Sequence, residues 1–373
     1  MSLEFSTLPS GKYQIGVITF NNPEKRNVLN YKMVTDMVEQ LQKWESDKSI
    51  AAILYQSSDE KCFSAGGDVK EIRDSILKSK TDSGAINRIR DFFFNEYLTN
   101  YLNYTYKKPT IIWAEGISMG AGLGLFRSGH IRIASTNCIF AMPEMAIGFF
   151  PDVGASWFLH QIPNGIGSYL GLTGIRFNTT DALDWKVATH AIDYKKKAEV
   201  LSDLANIRWG ETLQERKEQV HRLMINYHDA PKATGLVTPF KETIHQIMQG
   251  KTLRDFSENL KVHAPLPHME YIYNASPISV AVTFEMLKQS KNWSIHEAFM
   301  HEWVMATKFC RDSDFVEGVR ALLVDKDRKP KLHFQDMLKV PDELISGYFN
   351  FQMLKYDNPW EDYFNKRGAA LEV

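Results

Sequence analysis

The run Tyr13-Gln-Ile-Gly-Val-Ile-Thr-Phe20 is rich in β-branched and aromatic residues and stops at Asn21-Asn22-Pro23, which predicts a strand that ends in a turn. Met33, Val34, Met37, Val38, Leu41 and Trp44 then recur at spacings of three and four, the mark of a helix with one apolar face. An apolar run over 50–55 predicts the next strand. The loop Phe63-Ser-Ala-Gly-Gly-Asp68 follows, with a helix from about Val69. A long polar-aromatic helix is expected over 85–106, strands over 109–114, 130–134 and 139–142, and a glycine-rich stretch over 116–124. Beyond Lys195 the pattern turns helical, with proline-containing breaks at 230–239 and 264–267. The expected organisation is therefore an α/β core over 1–200, a helical middle segment over 201–275 and a helical carboxyl-terminal region over 276–373. No fixed-period repeat or low-complexity tract interrupts it.

Charge narrows the function classes. Among 373 residues, 44 Lys and Arg face 45 Asp and Glu, a formal net charge of −1, so nothing draws the chain as a whole to nucleic acid or an anionic membrane. The three cysteines, Cys62, Cys138 and Cys310, stand far apart and form no C-x-x-C, which suggests neither a disulfide framework nor a zinc site and favours a reducing compartment. Residues 1–13 show no apolar stretch of the signal-peptide kind, and the most apolar segment, 111–126, contains Glu115. The expectation is a soluble, cytoplasmic protein, or one of an organelle matrix if a transit peptide was removed.

Gly116-Ile-Ser-Met-Gly120 fits G-x-S-x-G between a strand and a helix, the setting of a nucleophile elbow, for which Asp152 and His190 would be the available partners of Ser118. The dinucleotide reading is weaker, because Gly120, Gly122 and Gly124 give G-x-G-x-G and no acidic residue follows about 20 positions on. A Walker loop is excluded by the missing Gly-Lys-Ser/Thr. Close packing of a helix on a strand explains such small residues equally well.

Three further segments shift the balance: Gly16-Val-Ile-Thr-Phe-Asn-Asn-Pro-Glu-Lys-Arg-Asn-Val-Leu29, Phe63-Ser-Ala-Gly-Gly-Asp-Val69, and Phe140-Ala-Met-Pro-Glu-Met-Ala-Ile-Gly-Phe-Phe-Pro-Asp-Val-Gly154. With the glycine stretch, they resemble the crotonase (enoyl-CoA hydratase/isomerase) superfamily in order and spacing, over about residues 13–330. The resemblance implies a spiral of strand-strand-helix turns with a helical carboxyl-terminal region. It also implies a CoA thioester whose carbonyl oxygen sits between two backbone N–H donors, assigned by likeness to Ala65 and Ala121. Gly66, Gly67, Asp68 and Gly120 would line the substrate.

Hydratases of the superfamily use two glutamates. Here the first position is Gly124 and the second is Glu144, so the reaction that needs a paired acid and base is disfavoured. Asp152, eight residues after Glu144, matches a branch that hydrolyses short 3-hydroxyacyl-CoA thioesters, and Glu96 matches a substrate-contacting glutamate of that branch. Taken locally, Glu144 and Asp152 also read as turn and helix caps, and Glu96 as a solvated charge. Within the family pattern Glu144 either activates a water or attacks the thioester itself, and Asp152 holds the 3-hydroxyl of the acyl group. His190 reads as a core histidine. Lys25, Arg26 and Lys70 are candidates for CoA phosphates. The expected partner is a small acyl-CoA, with no nucleic acid, no membrane and room for a homo-oligomer. CoA enters as part of the substrate, so no cofactor and no metal are expected. An enoyl-CoA hydratase, a non-catalytic CoA-ester binder and a serine hydrolase are the competing readings.

Overall fold

The computed structural model describes residues 2–79, 81–82, 84–263, 266, 270–351 and 358–366. It begins with β1 (Leu3–Ser10), which pairs antiparallel with β2 (Tyr13–Phe20). The hydrophobic pattern gives no hint of β1, because only Leu3 and Ser10 of its residues are buried and no apolar alternation results. From β2 onward the expected order holds, with two short strands added: α1 (Tyr31–Ser46), β3 (Ile50–Ser57), β4 (Cys62–Ser64), α2 (Val69–Lys78), α3 (Gly84–Thr105), β5 (Thr110–Ala114), β6 (Ile117–Met119), α4 (Ala121–Ser128), β7 (Ile131–Ser135) and β8 (Ile139–Ala141). The added strands are β4 and β6, which stand where a loop and a glycine-rich stretch were expected. Next come α5 (Ala155–Phe158), α6 (Ile166–Thr173), β9 (Phe177–Asn178), α7 (Thr179–Asp184) and β10 (His190–Ile192).

From β3 to β8 successive strands alternate between two sheets. The first has the order β1-β2-β3-β5-β7-β10, the second β4-β6-β8-β9. Each turn of the chain lays one strand in the first sheet, one in the second, and then returns through helix, which is the strand-strand-helix spiral that the resemblance implies. All pairings are parallel except β1 with β2 and β8 with β9. A largely parallel sheet must be covered on both faces. Ile18, Phe20, Ile53, Tyr55 and Ile112 face the main core with α1 and α3. Ile15, Val17, Leu54, Trp113 and Ile133 face the other way.

The helical half provides the remaining cover. Its α-helices among the described residues are α8 (Lys197–Leu204), α9 (Leu213–Tyr227), α10 (Lys241–Ile247), α11 (Leu253–Val262), α12 (Glu270–Tyr273), α13 (Pro277–Gln289), α14 (Ile295–Asp312), α15 (Phe315–Val319), α16 (Asp342–Gly347) and α17 (Pro359–Lys366). Val200 and Leu204 of α8 and Val220 and Met224 of α9 close the second face of the first sheet. α14 packs on α3, and α15 packs on α2 and on the turn that follows β8. Most of the break expected at 264–267 lies outside the described residues; Leu266 alone is within them.

Candidate active site

Three loops meet where the second sheet ends. In the first, β4 runs into Ala65-Gly-Gly-Asp68 ahead of α2, and the turn at 22–29 holds it. The Leu29 N–H donates to Gly66 O at 2.8 Å, the Asp68 N–H to Leu29 O at 2.8 Å, and the Ala65 N–H to Arg26 O at 3.0 Å. This last bond corrects an expectation: the Ala65 N–H is engaged inside the fold and is not free for a thioester oxygen. Two residues on, the Gly67 N–H has no acceptor among the described residues, and neither does the Ala121 N–H at the start of α4. Asp68 accepts the Glu71 N–H at 3.1 Å and so caps α2.

The second loop is the turn from β6 to α4. Gly120 has φ +52, and a Cβ there would stand 2.7 Å from Glu144 Oε1, so both backbone and carboxylate require glycine. A Cβ on Gly66 would lie 3.5 Å from the Ala121 nitrogen, which sets the first two loops side by side. Ser118 is buried within β6, and its Oγ has no hydrogen-bond partner among the described residues. The apex of the turn is a glycine, not the serine. His190 is buried in β10, where its Nδ1 lies 2.8 Å from Thr189 Oγ1, so no nucleophile, base and acid come together there.

The third loop follows β8. Glu144 opens a 3-10 turn (Glu144–Ile147), and Asp152 precedes α5. Neither carboxylate caps its element. Glu144, Asp152 and Glu96 of α3 are 7%, 5% and 4% exposed, so the solvated reading of Glu96 fails. Glu96 Oε1 sits 3.1 Å from the position of a Gly67 Cβ. Glu96 Oε1 and Glu144 Oε2 have no hydrogen-bond partner in the described structure, whereas Asp152 Oδ2 accepts the Tyr97 hydroxyl at 2.6 Å.

Burial dominates the electrostatics. It raises Glu144 well above the usual carboxylate range, with the charge of Asp152 adding to the effect, and it raises Glu96 in the same way, with Asp152 and Glu144 adding. Burial pushes Asp152 up to about 7, against the Tyr97 hydrogen bond, which favours its charge. The result is a set of enclosed carboxyls that hold their protons more tightly than exposed ones do, with Asp152 poised near neutral pH. Among the described residues no group of His, Cys, Asp or Glu is arranged to hold a metal ion. Lys25, Arg26 and Lys70 are exposed.

Two residues that sequence reasoning missed complete the site. Tyr97 stands next to Glu96, yet only packing shows that its hydroxyl reaches Asp152. Glu302 of α14 is fully buried and accepts the Gly154 N–H at 2.6 Å, the Ser156 N–H at 2.8 Å and the Ser156 hydroxyl at 2.6 Å. Gly124 also has a role the sequence hid. A Cβ there would fall 2.3 Å from Val153 Cγ2, so the place where hydratases carry their first glutamate is filled by valine.

A spiral with these loops and carboxylates defines a class, and the chain belongs to it: the enoyl-CoA hydratase/isomerase family, whose model matches residues 15–349. More particularly, the chain is 34% identical over 343 residues to the mitochondrial 3-hydroxyisobutyryl-CoA hydrolase of Xenopus tropicalis, spanning 90% of this chain and 86% of that protein. The human mitochondrial 3-hydroxyisobutyryl-CoA hydrolase is 33% identical over 341 residues, with the same coverage. Among solved structures, an enoyl-CoA hydratase from Rhodobacter sphaeroides is similar at TM-score 0.81 and 25% identity, covering 94% of this chain and 97% of that one. A carnitinyl-CoA dehydratase from Mycobacterium thermoresistibile is similar at TM-score 0.81 and 29% identity, covering 93% and 96%.

Proposed function

We propose that the protein hydrolyses the thioester of a short 3-hydroxyacyl-CoA, with 3-hydroxyisobutyryl-CoA the substrate, giving free hydroxy acid and CoA. The observation that carries this reading is the pairing of Glu144, whose Oε2 is unengaged, with an Asp152 held by Tyr97, while Val153 fills the place of a second hydratase glutamate. The frog and human relatives, named for this reaction, support it.

The Gly67 and Ala121 N–H groups receive the thioester oxygen as it becomes negative. Preorganised donors of this kind contribute roughly 3 to 4 kcal/mol each. Gly66 and Gly120 leave room for the thioester to reach that backbone. Glu144 removes a proton from a water aimed at the carbonyl carbon, the C–S bond breaks, and CoA leaves as the thiol once it regains that proton. Asp152 accepts the 3-hydroxyl of the acyl group, and Glu96 contacts the acyl portion. The groups named here supply every step without a cofactor or metal. The reaction belongs to valine breakdown. Buried cysteine thiols and mitochondrial relatives favour a reducing setting, whether cytoplasm or organelle matrix.

The test is a panel of acyl-CoA esters in which free thiol release and loss of the enoyl chromophore are followed in parallel. Thiol release from 3-hydroxyisobutyryl-CoA, faster than from isobutyryl-CoA, is the expected result. The likeness to an enoyl-CoA hydratase and a dehydratase favours a second reading, hydration of an enoyl-CoA. Hydration of crotonyl-CoA faster than any hydrolysis would establish that reading and overturn the first. Tight binding without turnover would leave a CoA-ester binder.

A further inference from the structure

Asp152 lies at the start of an unusual piece of backbone. Val153 has φ +56 and Gly154 φ +91, so two successive residues occupy the left-handed region. Glycine does so freely, but a β-branched residue there is a genuine outlier that persists only when its surroundings impose it.

The surroundings can be named. The Ala155 N–H donates to the Asp152 carbonyl at 2.9 Å, which closes the turn from within. Val153 packs into the space that Gly124 leaves open, and its carbonyl lies 3.5 Å from Asn100 Nδ2. Gly154, the residue before α5, has no side chain to cap that helix. The Glu302 carboxylate, 148 residues further along the chain, takes the Gly154 N–H and both Ser156 donors instead. On its other side the same segment is tied down by Tyr97 through Asp152 itself.

We propose that Glu302 is the positioning residue for Asp152: by holding the 153–156 turn it keeps the Asp152 carboxylate on Tyr97 and aimed at the acyl hydroxyl, and so sets the preference for a hydroxylated substrate. The carboxyl-terminal region thus shapes specificity without touching substrate. The preference for the hydroxyl rests on the hydrolase reading above, whereas the placement of Asp152 does not.

The experiment compares kcat and KM for 3-hydroxyisobutyryl-CoA and isobutyryl-CoA in the full-length protein and in Glu302→Gln, alone and combined with Val153→Gly or Asp152→Asn. Glutamine presents an amide where one of the three donors needs an acceptor. Glu302→Gln should therefore lower kcat/KM about tenfold more on the hydroxylated ester than on the plain one. Added to Asp152→Asn it should change the preference no further, since both act through one carboxylate. Val153→Gly should restore part of the preference in the Glu302→Gln background, because glycine holds a positive φ without an external clamp. Equal losses on both esters, or additive losses with Asp152→Asn, would overturn the proposal by reducing Glu302 to a general structural role. Ser156→Ala removes one donor and leaves Glu302 itself in place, so it should shift the preference in the same direction by less, and it serves where Glu302→Gln does not fold. A crystal structure of either variant gives a readout independent of turnover: a Tyr97 to Asp152 contact kept as in the unmodified protein overturns the proposal, and a lengthened one supports it. Failure of the unmodified protein to release thiol from any hydroxyacyl-CoA would sink the hydrolase reading, while the Tyr97 to Asp152 contact would still decide the role of Glu302.

Discussion

The Tyr97 hydroxyl donates to Asp152 Oδ2 at 2.6 Å, inside the protein, with the tyrosine fully buried. This bond favours the charged form of Asp152 and opposes the burial that pushes its pKa up to about 7. Hydrogen bonds to charged groups contribute about 1.5 to 3 kcal/mol, or about one to two pKa units. Tyr97→Phe should therefore raise the Asp152 pKa and move the acid limb of the pH profile of kcat/KM to higher pH by about one unit or more. A limb that stays in place would mean that Asp152 does not govern it.

Glu144→Gln removes the base while keeping the shape of the site. Turnover should fall by about a hundredfold to ten thousandfold, with binding of the CoA ester retained. Rapid quenching in heavy-oxygen water separates the two routes open to Glu144. Label entering the Glu144 carboxylate would show that it attacks the thioester as an anhydride-forming nucleophile, whereas label confined to the hydroxy acid supports the general base.

Ser118 offers the sharpest test against a serine hydrolase. Its hydroxyl is buried and without a partner in the described structure, so Ser118→Ala should leave kcat within about twofold and melting temperature unchanged or slightly raised. A loss of about a thousandfold would bring back the nucleophile elbow.

In sequence Gly124 looks like an empty position awaiting a second glutamate, yet Val153 Cγ2 lies 2.3 Å from where its Cβ would stand. Gly124→Glu should therefore lower the melting temperature by several degrees and abolish hydrolysis without producing crotonyl-CoA hydration. Pairing it with Val153→Gly opens the space, and hydration should become measurable only in the double variant.

Stability should depend on pH through the same carboxyls. The folded protein keeps a proton on Asp152 up to about pH 7, while the unfolded chain releases it near the ordinary value of 3.8. Between those values the folded form binds more protons, so this contribution to stability is full below 3.8 and is lost as pH rises toward 7. Glu302, pushed up to about 8 mainly by burial, acts in the same direction. The melting temperature should fall between pH 5 and pH 8, and Asp152→Asn should flatten that fall.

Much of this protein is written in local pattern. The apolar face from Met33 to Trp44, the β-branched run before Asn21 and the long helix through Glu96 all depend on neighbours a few residues apart, and each appears in the structure close to its expected bounds. The order of the three loops and the presence of Glu144 and Asp152 belong to the sequence in the same way. What only the tertiary structure decided concerns partners far along the chain. Glu96 looks like a solvated charge in a polar-aromatic helix until the other loops enclose it. The Ala65 N–H looks free until Arg26, in a turn before α1, presents its carbonyl. Val153 takes its conformation beside Gly124 and a turn that Glu302 holds, 146 residues beyond Ser156. Periodicity reports which face of an element is buried, but hydrogen-bond partners and the filling of space depend on what arrives opposite that face, and only the packed chain brings those groups together.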